Sequence, residues 1–131
     1  MIVVDTSAAV TALVAEDGAP DLVERLASDG DLHAPHLIDT EVLHTLRRMI
    51  LRDSISPERA ADARNDFAEL ALLRYPHEPL SDRVWELRDN LTAYDATFVA
   101  LAEALTVPLI TCDARLASSP IHRAQIELYN S

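Results

Sequence analysis

Three observations predict an α/β fold built on a parallel five-stranded sheet with helices on both faces. Short β-favouring runs alternate with longer amphipathic segments along the whole chain. The first run, Ile2-Val3-Val4, is apolar at every position, as a strand covered on both faces must be. Two of the runs, Ile2 to Val4 and Leu109 to Thr111, lead into aspartates, Asp5 and Asp113. Parallel neighbours set both acids on one sheet edge, where open α/β sheets bind ligands. The expected architecture is a three-layer α/β/α arrangement in one domain, residues 1–131.

Each element follows from local chemistry. After Asp5, composition predicts a helix through Ala15 that closes near Gly18. Pro20 opens a second helix, with Leu22, Val23 and Leu26 as its inner stripe and Gly30 as its stop. Leu32-His33-Ala34 reads as a strand cut off by Pro35. A third helix is expected from Leu37 to Arg52. Ser56-Pro57 supplies an N-cap and first helical residue for a fourth, reaching about Leu73. Arg74 to His77 is the candidate third strand. Helices over Leu80–Leu91 and Tyr94–Leu105 follow, then strands at Leu109–Thr111 and Ile126–Leu128.

Composition excludes several chemistries. The eleven basic residues are all arginine, so lysine-dependent Schiff-base and phosphate-loop mechanisms are absent. With only two glycines, neither a dinucleotide fingerprint nor a phosphate-cradling loop can be written. No segment has the length of a membrane span, and Asp5 interrupts any signal-like apolar run, so a cytoplasmic protein without membrane contact is expected. Cys112 is the single cysteine; it reads as a packed thiol, and no internal disulfide exists. The five histidines show no metal-ligand spacing. A net charge of −11 repels nucleic acid at long range, so a nucleic-acid substrate would need a cation and local arginines.

Two further carboxylates join the pair. Glu41 lies three residues after Ile38 and four before Thr45, on the inward stripe of its helix. Asp95 shares the core-facing side of a first helical turn with Phe98 and Val99. Each acid also has a structural reading: Asp5 as a helix cap, Asp95 as a partner of the helix dipole. Asp39, two residues before Glu41, turns away from the stripe and reads as an N-terminal helix acid. If all four converge, two carboxylates about 6 Å apart repel by roughly 2.8 kcal/mol at an effective dielectric of about 20. A cap or hydroxyl returns only about 1 kcal/mol. Such a cluster must hold protons or bind a cation, and an all-oxygen pocket suits Mg²⁺ or Mn²⁺.

The chain resembles the PIN-domain ribonucleases, in particular the VapC toxins of bacterial toxin–antitoxin pairs. The resemblance rests on Val4-Asp5-Thr6-Ser7, Asp39-Thr40-Glu41-Val42, Tyr94-Asp95-Ala96, and Leu109-Ile110-Thr111-Cys112-Asp113 with Leu116. It implies a PIN-like fold and an acidic quartet of Asp5, Glu41, Asp95 and Asp113 that binds Mg²⁺ or Mn²⁺. It further implies endoribonuclease activity, a homodimer, and control by a cognate antitoxin. Thr6 and Thr111 are the expected supporting hydroxyls, orienting the carboxylates, while Ser7 orients Asp5 or caps the first helix. Arg115, Arg47 and Arg48 are candidates for contact with RNA or antitoxin; each also reads as a solvated surface arginine. Two other classes remain open. A phosphatase using Asp5 as nucleophile would want an aspartate at position 7 and a downstream lysine, and the chain has Ser7 and no lysine. A catalytically silent binding protein would use the same acids as caps or metal ligands.

Overall fold

The structure is a computed structural model that describes residues 1–15, 18–119 and 122–130. The strands are β1 (Ile2–Val4), β2 (Leu32–Pro35), β3 (Leu72–Tyr75), β4 (Leu109–Thr111) and β5 (Ile126–Leu128). The helices are α1 (Thr6–Val14), α2 (Pro20–Asp29), α3 (Leu37–Leu51), α4 (Pro57–Glu69), α5 (Ser81–Glu86), α6 (Ala93–Leu105) and α7 (Ala114–Ser118). The sheet is parallel throughout, in the order β3-β2-β1-β4-β5.

That order makes β1 the strand where the chain reverses its direction of travel across the sheet. β2 and β3 stack on one side of it, and β4 and β5 on the other. Ligands bind at the carboxyl ends of strands at such a switch point. Val3 lies opposite Leu109 and Val4 opposite Ile110, and the Asp5 N–H donates to the Ile110 carbonyl. Asp5 and the residues after Ile110 therefore share one edge, as the sequence predicts.

Burial explains the strand compositions. Ile2, Val3 and Val4 are all buried, as are Leu109, Ile110 and Thr111. α6 lies against β1, β2 and β4 and is buried from Ala96 through Ala102. Val4, Leu32 and Leu72 face α1, α2 and α4 across an apolar cavity of about 240 Å³.

The differences from expectation have local causes. Leu70 to Leu73 has helical composition, but α4 stops at Glu69 because Leu72 and Leu73 pair with Leu32 and His33. β3 thus begins two residues earlier than Arg74, and Tyr75 meets the His33 ring nitrogen through its hydroxyl at 2.7 Å. In α2, Leu22 is buried, while Val23 lines the apolar cavity with Leu26 and is still 43% exposed, so that part of the inner stripe is only partly covered. The expected Leu80–Leu91 helix is a 3₁₀ turn over Glu78–Leu80 followed by the short α5; the chain then turns at Leu87, which is fully buried. α1 ends at Val14; Glu16 and Asp17, before the expected stop at Gly18, lie outside the described residues. α7 has no counterpart in the sequence reading. Its five residues are too few to carry a periodic signal.

Candidate active site

Asp5 is both a cap and a site carboxylate. As N-cap of α1 it accepts from the Ala8 N–H at 2.9 Å, and the same oxygen accepts from the Ser7 hydroxyl at 2.7 Å. Its other oxygen accepts from the buried Thr111 hydroxyl at 2.5 Å. Thr111 Oγ1 in turn accepts from the Asp113 N–H, and Ser7 Oγ from the Cys112 N–H, both at 2.9 Å. Two hydroxyls thereby tie the end of β1 to the end of β4. Burial pushes the Asp5 carboxyl up to about 6 against the pull of these three donors, and the neighbouring Asp113 adds to the rise.

Glu41 enters from α3. Its Oε1 accepts from the Thr6 hydroxyl at 2.7 Å, so the residue after Asp5 orients the second acid. Partial burial raises the Glu41 carboxyl above its ordinary range, and the charge of Asp95 raises it further. Asp39 points elsewhere, as its two-residue offset predicts. It forms a two-pronged ion pair with Arg74 at 2.7 and 2.8 Å.

Asp95 sits in the first turn of α6, behind the N-cap Thr92. It too is raised, first by burial and then by Asp113. Asp113 behaves oppositely. It caps α7 through the Arg115 N–H at 2.9 Å, and the Arg115 side chain holds its carboxyl below the usual range. Arg115 Nη2 lies 2.8 Å from Asp113 Oδ2 and 3.8 Å from Asp95 Oδ2, while its Nε lies 3.2 Å from Asp113 Oδ1.

These residues line one concavity of about 290 Å³: Asp5, Thr6, Ser7, Glu41, His44, Thr45, Arg48, Asp95, Phe98, Asp113 and Arg115. All four expected carboxylates are among them, and Thr111 stands directly behind Asp5. Arg48 lines the concavity, whereas Arg47 is exposed and does not. His44 and Thr45 belong to the site, one turn beyond Glu41 on the same helix face. The Glu41, Thr45, Arg48 spacing carries that signal; no signal in the sequence singled out His44.

Three of these carboxylates are raised, each chiefly by burial and further by a neighbouring acid of the same group. Among the described residues, no three Asp, Glu, His or Cys side chains already stand in a metal-holding arrangement. Their oxygens are instead engaged by Thr6, Ser7, Thr111 and Arg115. The donor set, all carboxylate with hydroxyls behind it, fits a hard divalent cation.

A parallel sheet in this order, with four acids gathered at its switch point, defines a class of acid-centred α/β proteins. The family model of the PIN domain matches residues 2–120. The chain belongs to the PIN-domain family, and its similarity runs to VapC-type members in particular. It is 46% identical over 127 residues to ribonuclease VapC1 of Mycobacterium tuberculosis, covering 96% of each chain. It is 41% identical over 128 residues to ribonuclease VapC12 of the same organism, covering 98% of each. Among solved structures, VapBC2 of Rickettsia felis bound to a DNA fragment from their promoter superposes with a TM-score of 0.73. That likeness covers 99% of this chain and 100% of the other at 15% identity, and so speaks to the fold alone.

Proposed function

We propose that this chain is an endoribonuclease that hydrolyses RNA phosphodiester bonds with Mg²⁺ or Mn²⁺, as the toxin of a toxin–antitoxin pair. The observation that carries the reading is the meeting of Asp5, Glu41, Asp95 and Asp113 in one concavity at the switch point. The ribonuclease names of the relatives supply the substrate class. In this reading the four carboxylates hold the cation. Such a cation supplies positive charge for the scissile phosphate and acidity for an attacking water. Thr111 and Ser7 hold Asp5 in place, Thr6 holds Glu41, and Arg48 and Arg115 stand where the RNA backbone would pass. Arg47, outside the concavity, is left as a contact for RNA beyond the cut site or for the antitoxin.

A protein partner is part of the same reading, drawn from the VapC-type relatives. A cognate antitoxin is the proposed partner, the homodimer is part of the same reading, and the cytoplasm is the proposed compartment. Among the described residues, no helix is long and apolar enough to cross a membrane. The test is cleavage of end-labelled cellular RNA by purified, antitoxin-free protein with Mg²⁺, with Mn²⁺ and with chelator. Discrete products are expected with either metal and none with chelator or with Asp95→Asn. Undiminished cutting by a folded Asp95→Asn protein overturns the assignment.

A further inference from the structure

We infer that Arg115 is a resident counter-cation of the acidic site, occupying the place between Asp95 and Asp113 that a divalent ion must take from it. The inference rests on the proposed cation site and concerns how that site is kept in the absence of metal.

The geometry is specific. Both oxygens of Asp113 are engaged by the Arg115 guanidinium, at 3.2 and 2.8 Å, and the same Nη2 reaches toward Asp95 Oδ2 at 3.8 Å. One planar cation thus spans two carboxylates, of which Asp113 otherwise raises the proton affinity of Asp95. Asp113 is the one member of the quartet held below the usual carboxylate range, and Arg115 is the cause. Arg25, Arg74 and Arg83 are paired instead with Glu127, Asp39 and Glu103, all outside the quartet.

The arm that carries the guanidinium is built to leave. Its side chain is 80% exposed, so little packing holds it against withdrawal into water. The backbone stays fixed meanwhile, because Asp113 accepts the Arg115 N–H as the cap of α7 independently of the side chain. A guanidinium and a divalent ion compete for the same pair of carboxylates, since like charges that close repel. Metal entry and Arg115 release are therefore one exchange. The metal-free protein keeps its acid cluster folded by lending it an internal positive charge.

The test is Mn²⁺ affinity, read by electron paramagnetic resonance without RNA, for wild type, Arg115→Ala, Arg115→Lys, Arg64→Ala and Asp95→Asn. Arg115→Ala is expected to bind Mn²⁺ about fivefold more tightly, the scale of an exposed ion pair. Arg115→Lys, which keeps the charge, is expected to stay near wild type. Arg64→Ala removes the same charge from the exposed side of α4 and is expected to change little. Equal or weaker binding by Arg115→Ala overturns the inference, as does an equal gain from Arg64→Ala. If wild type binds Mn²⁺ and Asp95→Asn does not, such a failure leaves the metal site standing. If no protein binds Mn²⁺, the metal site and the inference fall together.

Discussion

Asp5→Asn is expected to stabilise the metal-free protein while removing its activity. Asp5 is buried, and its carboxyl is raised from 3.8 to about 6, chiefly by desolvation. A folded-state value above the unfolded one means the native protein binds the proton more tightly. The contribution of Asp5 to stability is then greatest at low pH and falls as pH rises between 3.8 and about 6. Above both values the ionised group costs the folded state about 3 kcal/mol. Asn carries no charge, but it turns one acceptor into a donor facing the Thr111 hydroxyl, a loss of about 1 kcal/mol. The net gain is about 2 kcal/mol near pH 8, narrowing to about 0.5 kcal/mol near pH 5 as wild-type Asp5 takes up its proton. Urea unfolding in chelator at the two pH values, with m-values compared, measures it. A variant no more stable than wild type at pH 8, or a difference that ignores pH, refutes the reasoning.

Other substitutions test the supports around that residue. Thr111→Val removes the hydroxyl between Asp5 and the Asp113 N–H; it is expected to cost about 1–3 kcal/mol in urea unfolding and to move the pH profile of cleavage upward. Asp39→Asn breaks only the partly exposed pair with Arg74, so it is expected to cost less than about 1 kcal/mol and to leave RNA cleavage intact. Glu41→Gln, two residues on, is expected to lower cleavage at least about tenfold in the same assay, the scale of a lost general or electrostatic catalytic group. Leu87→Ala opens a cavity at a fully buried turn and is expected to cost about 2–5 kcal/mol by thermal unfolding, with cleavage retained well below the melting temperature.

Which of these features the sequence announces depends on how local their causes are. The strand Ile2-Val3-Val4 is legible because three consecutive apolar β-formers leave no solvent-facing position. The Asp5–Asp113 edge is legible because two similar strands each hand over to an acid. Glu41 is separable from Asp39 by helical phase alone, and the ion pair between Asp39 and Arg74 agrees with that separation. The start of β3 is not legible, since Leu70 to Leu73 suits a helix equally well and pairing with Leu32 and His33 decides it. The choice between cap and site at Asp5 dissolves in three dimensions, because one carboxylate accepts the Ala8 N–H and also faces the concavity. The bridge from Arg115 to Asp95 joins residues twenty positions apart in sequence. It depends on α7 beginning at Ala114, and so leaves no periodic trace.

Four carboxylates at the β1/β4 edge are proposed to converge on a cation. Anomalous diffraction from crystals of the protein soaked in Mn²⁺ tests it most directly. A strong peak is expected at coordination distance from Asp5, Asp95 or Asp113 oxygens, with the Arg115 guanidinium swung clear. A site that stays free of Mn²⁺ in crystals whose protein cleaves RNA contradicts it.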